Sequence, residues 1–178
     1  VIEIGPRTVE ESLARARKGD NSAFAVLVRA HQRSVFSLSA RMLMDTHEAE
    51  DLSQEVFLQL HRHLADIESE AHLPFWLRKV TVRKAIDRLR RRPEREIDLS
   101  DVEEIASDST DDDPLLQRRI RTLIGKLSET ARAVVLLRYQ EDLDPTEIAE
   151  SLDMPINTVK SHLKRSLATL RELVEAGT

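Results

Sequence analysis

No cysteine occurs among the 178 residues, which excludes disulfides and thiolate metal sites. Glycine (4) and proline (6) are scarce and aromatic side chains make up 3%. With few β-branched or aromatic runs to favour strands, an all-α fold is expected. Long apolar runs are missing too: the longest, Ala23 to Val28, falls far short of the roughly 20 residues that span a bilayer, so no membrane insertion is expected. The opening VIEIGPRTVEE lacks a basic-then-apolar leader pattern, and the expected location is cytoplasmic. Positive charge is not in excess either. Lys+Arg 27 against Asp+Glu 32 gives a formal net charge of -5, which excludes a uniformly basic, histone-like coating of DNA. What remains, 40% hydrophobic and 33% charged, suffices for one compact domain or two small ones.

The charge is unevenly spread. Residues 11–93 carry a net +4, residues 94–113 a net -9, and residues 114–178 a net +1. The acidic stretch EREIDLSDVEEIASDSTDDD has no helical or alternating apolar stripe long enough to pack. It reads as a linker over 94–113 between two helical units, 7–93 and 114–178.

Four helices are expected in the first unit. Thr8 and Glu11 have capping-box spacing ahead of a helix to Lys18, and an amphipathic stretch follows from Asn21 to Met44. A third helix, Thr46 to Leu64, aligns Ala49, Leu52, Val56 and Leu60 as a core stripe and leaves Asp51, Gln54, Glu55, Leu58 and Arg62 on the other face. Leu58 among polar residues suggests a docking surface. The fourth helix, Leu73 to Arg92, contains RKVTVRKAIDRLRRR, with eight basic side chains and one acid, Asp87. Val80, Ala85, Ile86 and Leu89 give it an apolar side, so it reads as a folded cationic surface suited to phosphates. Phe75 and Trp76 open this helix, where an aromatic ring can stack on an unpaired base or wedge into an opened step. Core packing is the competing role, more so for Phe75 than for Trp76.

The second unit ends in a helix-turn-helix pattern. Asp144, Pro145 and Glu147 fit a capped helix start, and Ile148, Ala149 and Leu152 its buried side. Asp153 to Pro155 makes the turn. The next helix is expected to bury Val159, Leu163, Leu167 and Leu170 and to turn Asn157, Thr158, Ser161, Lys164 and Arg165 outward, with Lys160 flanking. That mix hydrogen-bonds base edges and phosphates from a major groove. Leu127 to Tyr139 supplies an apolar supporting helix.

Taken together, AEDLSQEVFLQL (Ala49 to Leu60), FWLRKVTVRKAIDRLRRR (Phe75 to Arg92) and LSETARAVVLLRYQEDLDPTEIAESLDMPINTVKSHLKRSLATLREL (Leu127 to Leu173) resemble an extracytoplasmic-function (ECF) sigma factor of the sigma-70 family. The resemblance implies a promoter-recognition subunit of RNA polymerase, with region 2 and region 4 domains and no cofactor. It implies docking of Asp51, Gln54, Glu55 and Leu58 on the β′ clamp helices, and of the second unit on the β flap. It assigns minus-ten recognition and melting to Trp76, Arg78, Lys79, Arg83, Lys84, Arg88, Arg90 and Arg91, with the loop Asp66 to Leu73 capturing a flipped base. Minus-thirty-five duplex would be read by Asn157, Thr158, Lys160, Ser161, Lys164 and Arg165. The acidic linker would thread toward the RNA exit channel, and an anti-sigma factor is an expected partner. The chain departs from relatives at Val82-Arg83, where Arg-Asn is frequent, and at Asp153, where Gly is usual; Asp tolerates a left-handed backbone better than most residues.

Other classes fit less of the chain. A helix-turn-helix regulator acting without polymerase explains residues 114–178 but gives no reason for the aromatic and basic helix. No glycine-rich phosphate loop or nucleophile elbow marks an enzyme, and His61 and His63 point about 200° apart on a helix, which disfavours a metal site. A helical adaptor is the remaining class. The acidic tether also allows its own segment or the second unit to fold back over the basic helix.

Overall fold

The computed structural model describes residues 6–91 and 114–176. Among them are eight α-helices and no strand: α1 (Pro6–Ala16), α2 (Asn21–Leu43), α3 (Thr46–Arg62), α4 (His72–Arg91), α5 (Pro114–Gly125), α6 (Glu129–Tyr139), α7 (Pro145–Leu152) and α8 (Ile156–Ala176), with a 3-10 turn at Leu64–Asp66. The acidic stretch 94–113 lies outside the described residues.

Helix boundaries follow local chemistry. α1 begins at Pro6, not at a Thr8 cap, because proline's fixed φ and missing N–H suit the first helical turn. Gly19, at φ 89°, turns the chain into α2, whose N-cap Asp20 accepts from the backbone N–H groups of Ser22 and Ala23. The Ser22 hydroxyl, the Ala23 N–H and then Arg15, which donates twice to the same carboxylate, hold Asp20 well below the usual carboxylate range. α2 stops at Met44 in a left-handed conformation, and Asp45 then caps α3 through the N–H of Glu48. α3 ends two residues before the expected Leu64, where the chain tightens into the 3-10 turn.

α2 is the hub of the first unit and packs on α1, α3 and α4. The expected α3 stripe of Ala49, Leu52, Val56 and Leu60 is completely buried, against Leu27, Leu38 and Met42 of α2 in one core. Each such leucine contributes roughly 1.5 to 3 kcal/mol by leaving water. In the second unit α6, α7 and α8 contact one another and α5 rests on α8. Ala133, Val134, Leu137, Ile148 and Val159 are fully buried there. Leu167, expected in that core, is 44% exposed: the buried side of α8 runs through Val159, Leu163, Ser166 and Leu170, the last packed on the small cluster of Leu127, Ala131 and Val135, and Leu167 lies one position off it.

The two units touch. α6 lies on α2 and α4, α7 lies on α4, and apolar residues of both units belong to one continuous core. Arg132 of α6 crosses the junction almost fully buried. Its guanidinium donates to the carbonyl oxygen of Met42 at 2.6 Å and to that of Gly125 at 2.7 Å. Both acceptors lie in the last turn of a helix, one from each unit, so a single cation meets two negative dipole ends.

Candidate nucleic-acid interface

On the first unit, α4 and the segment before it form an open groove of about 560 Å³. Its walls are Gln59, His63, His72, Phe75, Trp76, Lys79, Val80, Arg83, Lys84 and Asp87. Trp76 packs partly against the core while lining the groove, and its ring lies 6.4 Å from that of His63. Phe75 is half-buried and carries Lys79 Nζ 5.9 Å from its ring centroid. Of the two rings, Trp76 is thus the one that borders the core, the reverse of the expectation from sequence.

The loop beside the groove is held by its own polar groups. His63 Nδ1 meets Asp66 at 2.8 Å, and the N–H of Glu68 donates to His72 Nδ1 at 3.0 Å, which places the proton of a neutral His72 on Nε2. Arg17, at the far end of α1, donates to the carbonyl oxygens of Leu64 and Ile67. Sequence reasoning missed this arginine, because the contact spans some fifty residues.

The cations of α4 do not form one stripe, since side chains spaced around a 3.6-residue turn must diverge. Lys79, Arg83 and Lys84 border the groove. Lys84 and Arg88 reach Glu55 of α3 at 3.3 and 2.5 Å, and Arg88 also donates to the carbonyl oxygen of Glu48. Burial raises the Glu55 pKa, but the hydrogen bonds from Arg88 and Lys84 outweigh it and hold the carboxyl below its ordinary value. A third set turns to the second unit. Arg78 faces Glu141 at 3.7 Å, Arg83 faces Asp153 at 3.7 Å and donates to the carbonyl oxygen of Ser151 at 3.0 Å, and Arg90 faces Glu129 at 3.5 Å. Arg91 is exposed.

On α3, Asp51, Gln54, Glu55 and Leu58 share an exposed face, with Leu58 59% exposed among polar neighbours. In the second unit, Asp144 accepts from the N–H groups of Thr146 and Glu147 while Glu147 accepts from that of Asp144, a complete capping box. Those two bonds lower the Asp144 pKa. Asp153 takes the left-handed conformation at φ 55°, ψ 50°, and turns the chain into α8. Asn157, Thr158, Lys160, Lys164 and Arg165 are exposed along α8, whereas Ser161 is half-buried and donates to the carbonyl oxygen of Asn157. That row of amide, hydroxyl and cationic groups can meet base edges and phosphates of a duplex.

Residues 27–94 match the family description "Sigma-70 region 2" and residues 117–170 match "Sigma-70, region 4". The ECF RNA polymerase sigma factor SigW of Bacillus subtilis (strain 168) is 29% identical over 178 residues, which covers 92% of this chain and 95% of that protein. The ECF RNA polymerase sigma-E factor of Escherichia coli (strain K12) is 28% identical over 175 residues, covering 90% and 91%. A solved structure of CnrH in complex with the cytosolic domain of CnrY has the same fold, with a TM-score of 0.70 over 96% of this chain and 99% of that one at 21% identity.

Proposed function

The chain belongs to the sigma-70 family as an extracytoplasmic-function sigma factor, and on that premise we propose how its two units divide the work of promoter-directed transcription initiation. Its partners are core RNA polymerase and promoter DNA. Asp51, Gln54, Glu55 and Leu58 dock on the polymerase β′ clamp helices: an exposed leucine ringed by polar side chains is the pattern of a contact surface. The second unit rests on the β flap and reads the minus-thirty-five element through Asn157, Thr158, Lys160, Ser161, Lys164 and Arg165.

The groove on α4 holds opened DNA. Extruding a base costs a few kcal/mol of stacking. A ring that stacks on it recovers about 1 to 3 kcal/mol, so Trp76 with the cations Lys79, Arg83 and Lys84 offsets most of that cost. The loop 66–73 shapes the pocket mouth, held by Arg17. Arg78, Arg88, Arg90 and Arg91 contact the flanking backbone. This work is binding and strand opening, and it makes or breaks no covalent bond. The site of action is the cytoplasm, where the transcribing enzyme is; among the described residues no helix is long and apolar enough to cross a membrane. An anti-sigma factor covering the α3 and α4 surfaces is the expected regulator.

The observation that carries this reading is the pairing of an aromatic, cation-lined groove in the first unit with a helix-turn-helix in the second, in the order of the two family matches. Run-off transcription with core polymerase on a genomic template library, with sequencing of transcript starts, tests it. Promoter-directed transcripts with shared upstream sequences are expected, and their absence from every template refutes the reading.

A further inference from the structure

The arginines of α4 that face the second unit meet oxygens there. Arg78 meets Glu141, whose side chain is only 14% exposed, Arg83 meets Asp153 and the carbonyl end of α7 at Ser151, and Arg90 meets Glu129. Carboxylates and a helix C-terminus present what a sugar-phosphate backbone presents: negative oxygen acceptors at intervals along a cationic helix. The buried Arg132 bond to the Met42 carbonyl and the shared apolar core fix the second unit in this position. The α3 face and the α8 row remain exposed in the same arrangement.

We propose that the second unit is an intramolecular latch, in which Glu129, Glu141 and Asp153 stand in for the backbone of opened DNA and withhold Arg78, Arg83 and Arg90 from it until polymerase separates the units. This rests on the assignment of α4 as the single-strand surface. The Arg78–Glu141 contact is the most sheltered of the three and carries the most closure; Arg83–Asp153 is open to water and screened by salt.

The test compares the full chain with the triple variant Glu129→Gln, Glu141→Gln, Asp153→Asn; asparagine keeps the left-handed turn available. A control triple, Glu150→Gln, Glu172→Gln, Glu175→Gln, makes the same change in net charge at exposed positions. Binding of a labelled single-stranded oligonucleotide is followed against salt. Freeing three arginines steepens the log K against log[salt] slope by about 2, so the gain of the latch variant shrinks about 20-fold between 50 and 200 mM salt. Equal slopes for the two triples overturn the latch. Because the chain has no cysteine, Glu50→Cys with Lys126→Cys gives clean spin-label pairs, and a broad spread of separations without polymerase also overturns it. Adding Arg78→Ala, Arg83→Ala and Arg90→Ala to the latch variant abolishes the gain; a gain that persists removes α4 as the DNA surface. If the slopes are equal while run-off transcription proceeds, the latch falls and the sigma function stands.

Discussion

Replacing Arg132 by leucine should cost about 3 kcal/mol and uncouple the two units. The guanidinium makes short charge-assisted hydrogen bonds at 2.6 Å to Met42 and 2.7 Å to Gly125, and a longer one at 3.5 Å to Leu127, in a nearly water-free junction. Each such bond is worth roughly 1.5 to 3 kcal/mol net, and the leucine returns part of that loss by burying apolar surface. Its carbonyl partners lose a donor, which keeps the balance unfavourable. Arg132→Lys, a compact point charge without the fork, should satisfy one helix end and fall between the two. The chain carries its own reporter, since its one tryptophan, Trp76, lies in the first unit while far-UV circular dichroism sees all the helices. In urea the native chain should lose both signals together, and in Arg132→Leu the dichroism should fall before the fluorescence shifts. A loss below about 1 kcal/mol with the two transitions still coincident would show that Arg132 does not tie the units.

Glu55→Gln releases Lys84 and Arg88, so single-strand binding should gain a salt slope of about 1.4 while association with core polymerase weakens; an unchanged slope in titration removes the link. Because the Glu55 pKa is depressed on folding, its contribution is present above the ordinary value of 4.5 and lost as pH falls through the lower folded value, so Glu55→Gln should flatten that acid limb of urea stability. Burial lowers the His31 pKa, which makes stability fall as pH drops below 6.5, where the unfolded chain takes up the proton first; His31→Gln should level the curve there, and an unchanged curve contradicts it. Trp76→Ala should leave closed-complex binding intact and reduce permanganate reactivity at the start site, at a moderate stability cost from its core contact. Lys164→Ala with Arg165→Ala should weaken upstream duplex protection by about 1 to 3 kcal/mol, measured by footprinting with a stability control.

Periodic burial was legible from the residues alone. The α3 stripe is buried and its polar face exposed because a 3.6-residue repeat leaves no other way to cover four apolar side chains. The Asp144 to Glu147 capping box was legible because it is decided within four residues, whereas the left-handed turn at Asp153 was suggested only by the resemblance, which puts a glycine there. Contacts between distant segments were not. Glu129, Glu141 and Asp153 look like ordinary surface acids until α6 and α7 lie on α4, and Arg17 gives no local sign of its reach to Leu64 and Ile67. Arg132 did leave a trace, as a lone charge inside the apolar run of α6, but its partners in α2 and α5 could not be named from spacing. Leu167 failed for a different reason: its spacing from Leu163 is that of a core residue, yet the buried side of α8 passes through Ser166 and Leu170 at that turn and leaves Leu167 one position off it.

The latch also constrains what polymerase must do. Both units are net positive, +4 and +1 by residue count, so their association depends on the local acids at the junction and not on any bulk attraction. Those same acids, left beside α4, would repel the phosphates that the groove is to hold. Docking must therefore move the second unit away as well as anchor the first. A latch that lowers single-strand affinity tenfold requires polymerase to prefer the open arrangement by more than tenfold, about 1.4 kcal/mol, before strand opening proceeds unhindered. Such a preference can come from engaging two separated surfaces at once. The exposed α3 face can engage first, since closure leaves it uncovered, and a second contact reachable only after the units part then supplies the difference.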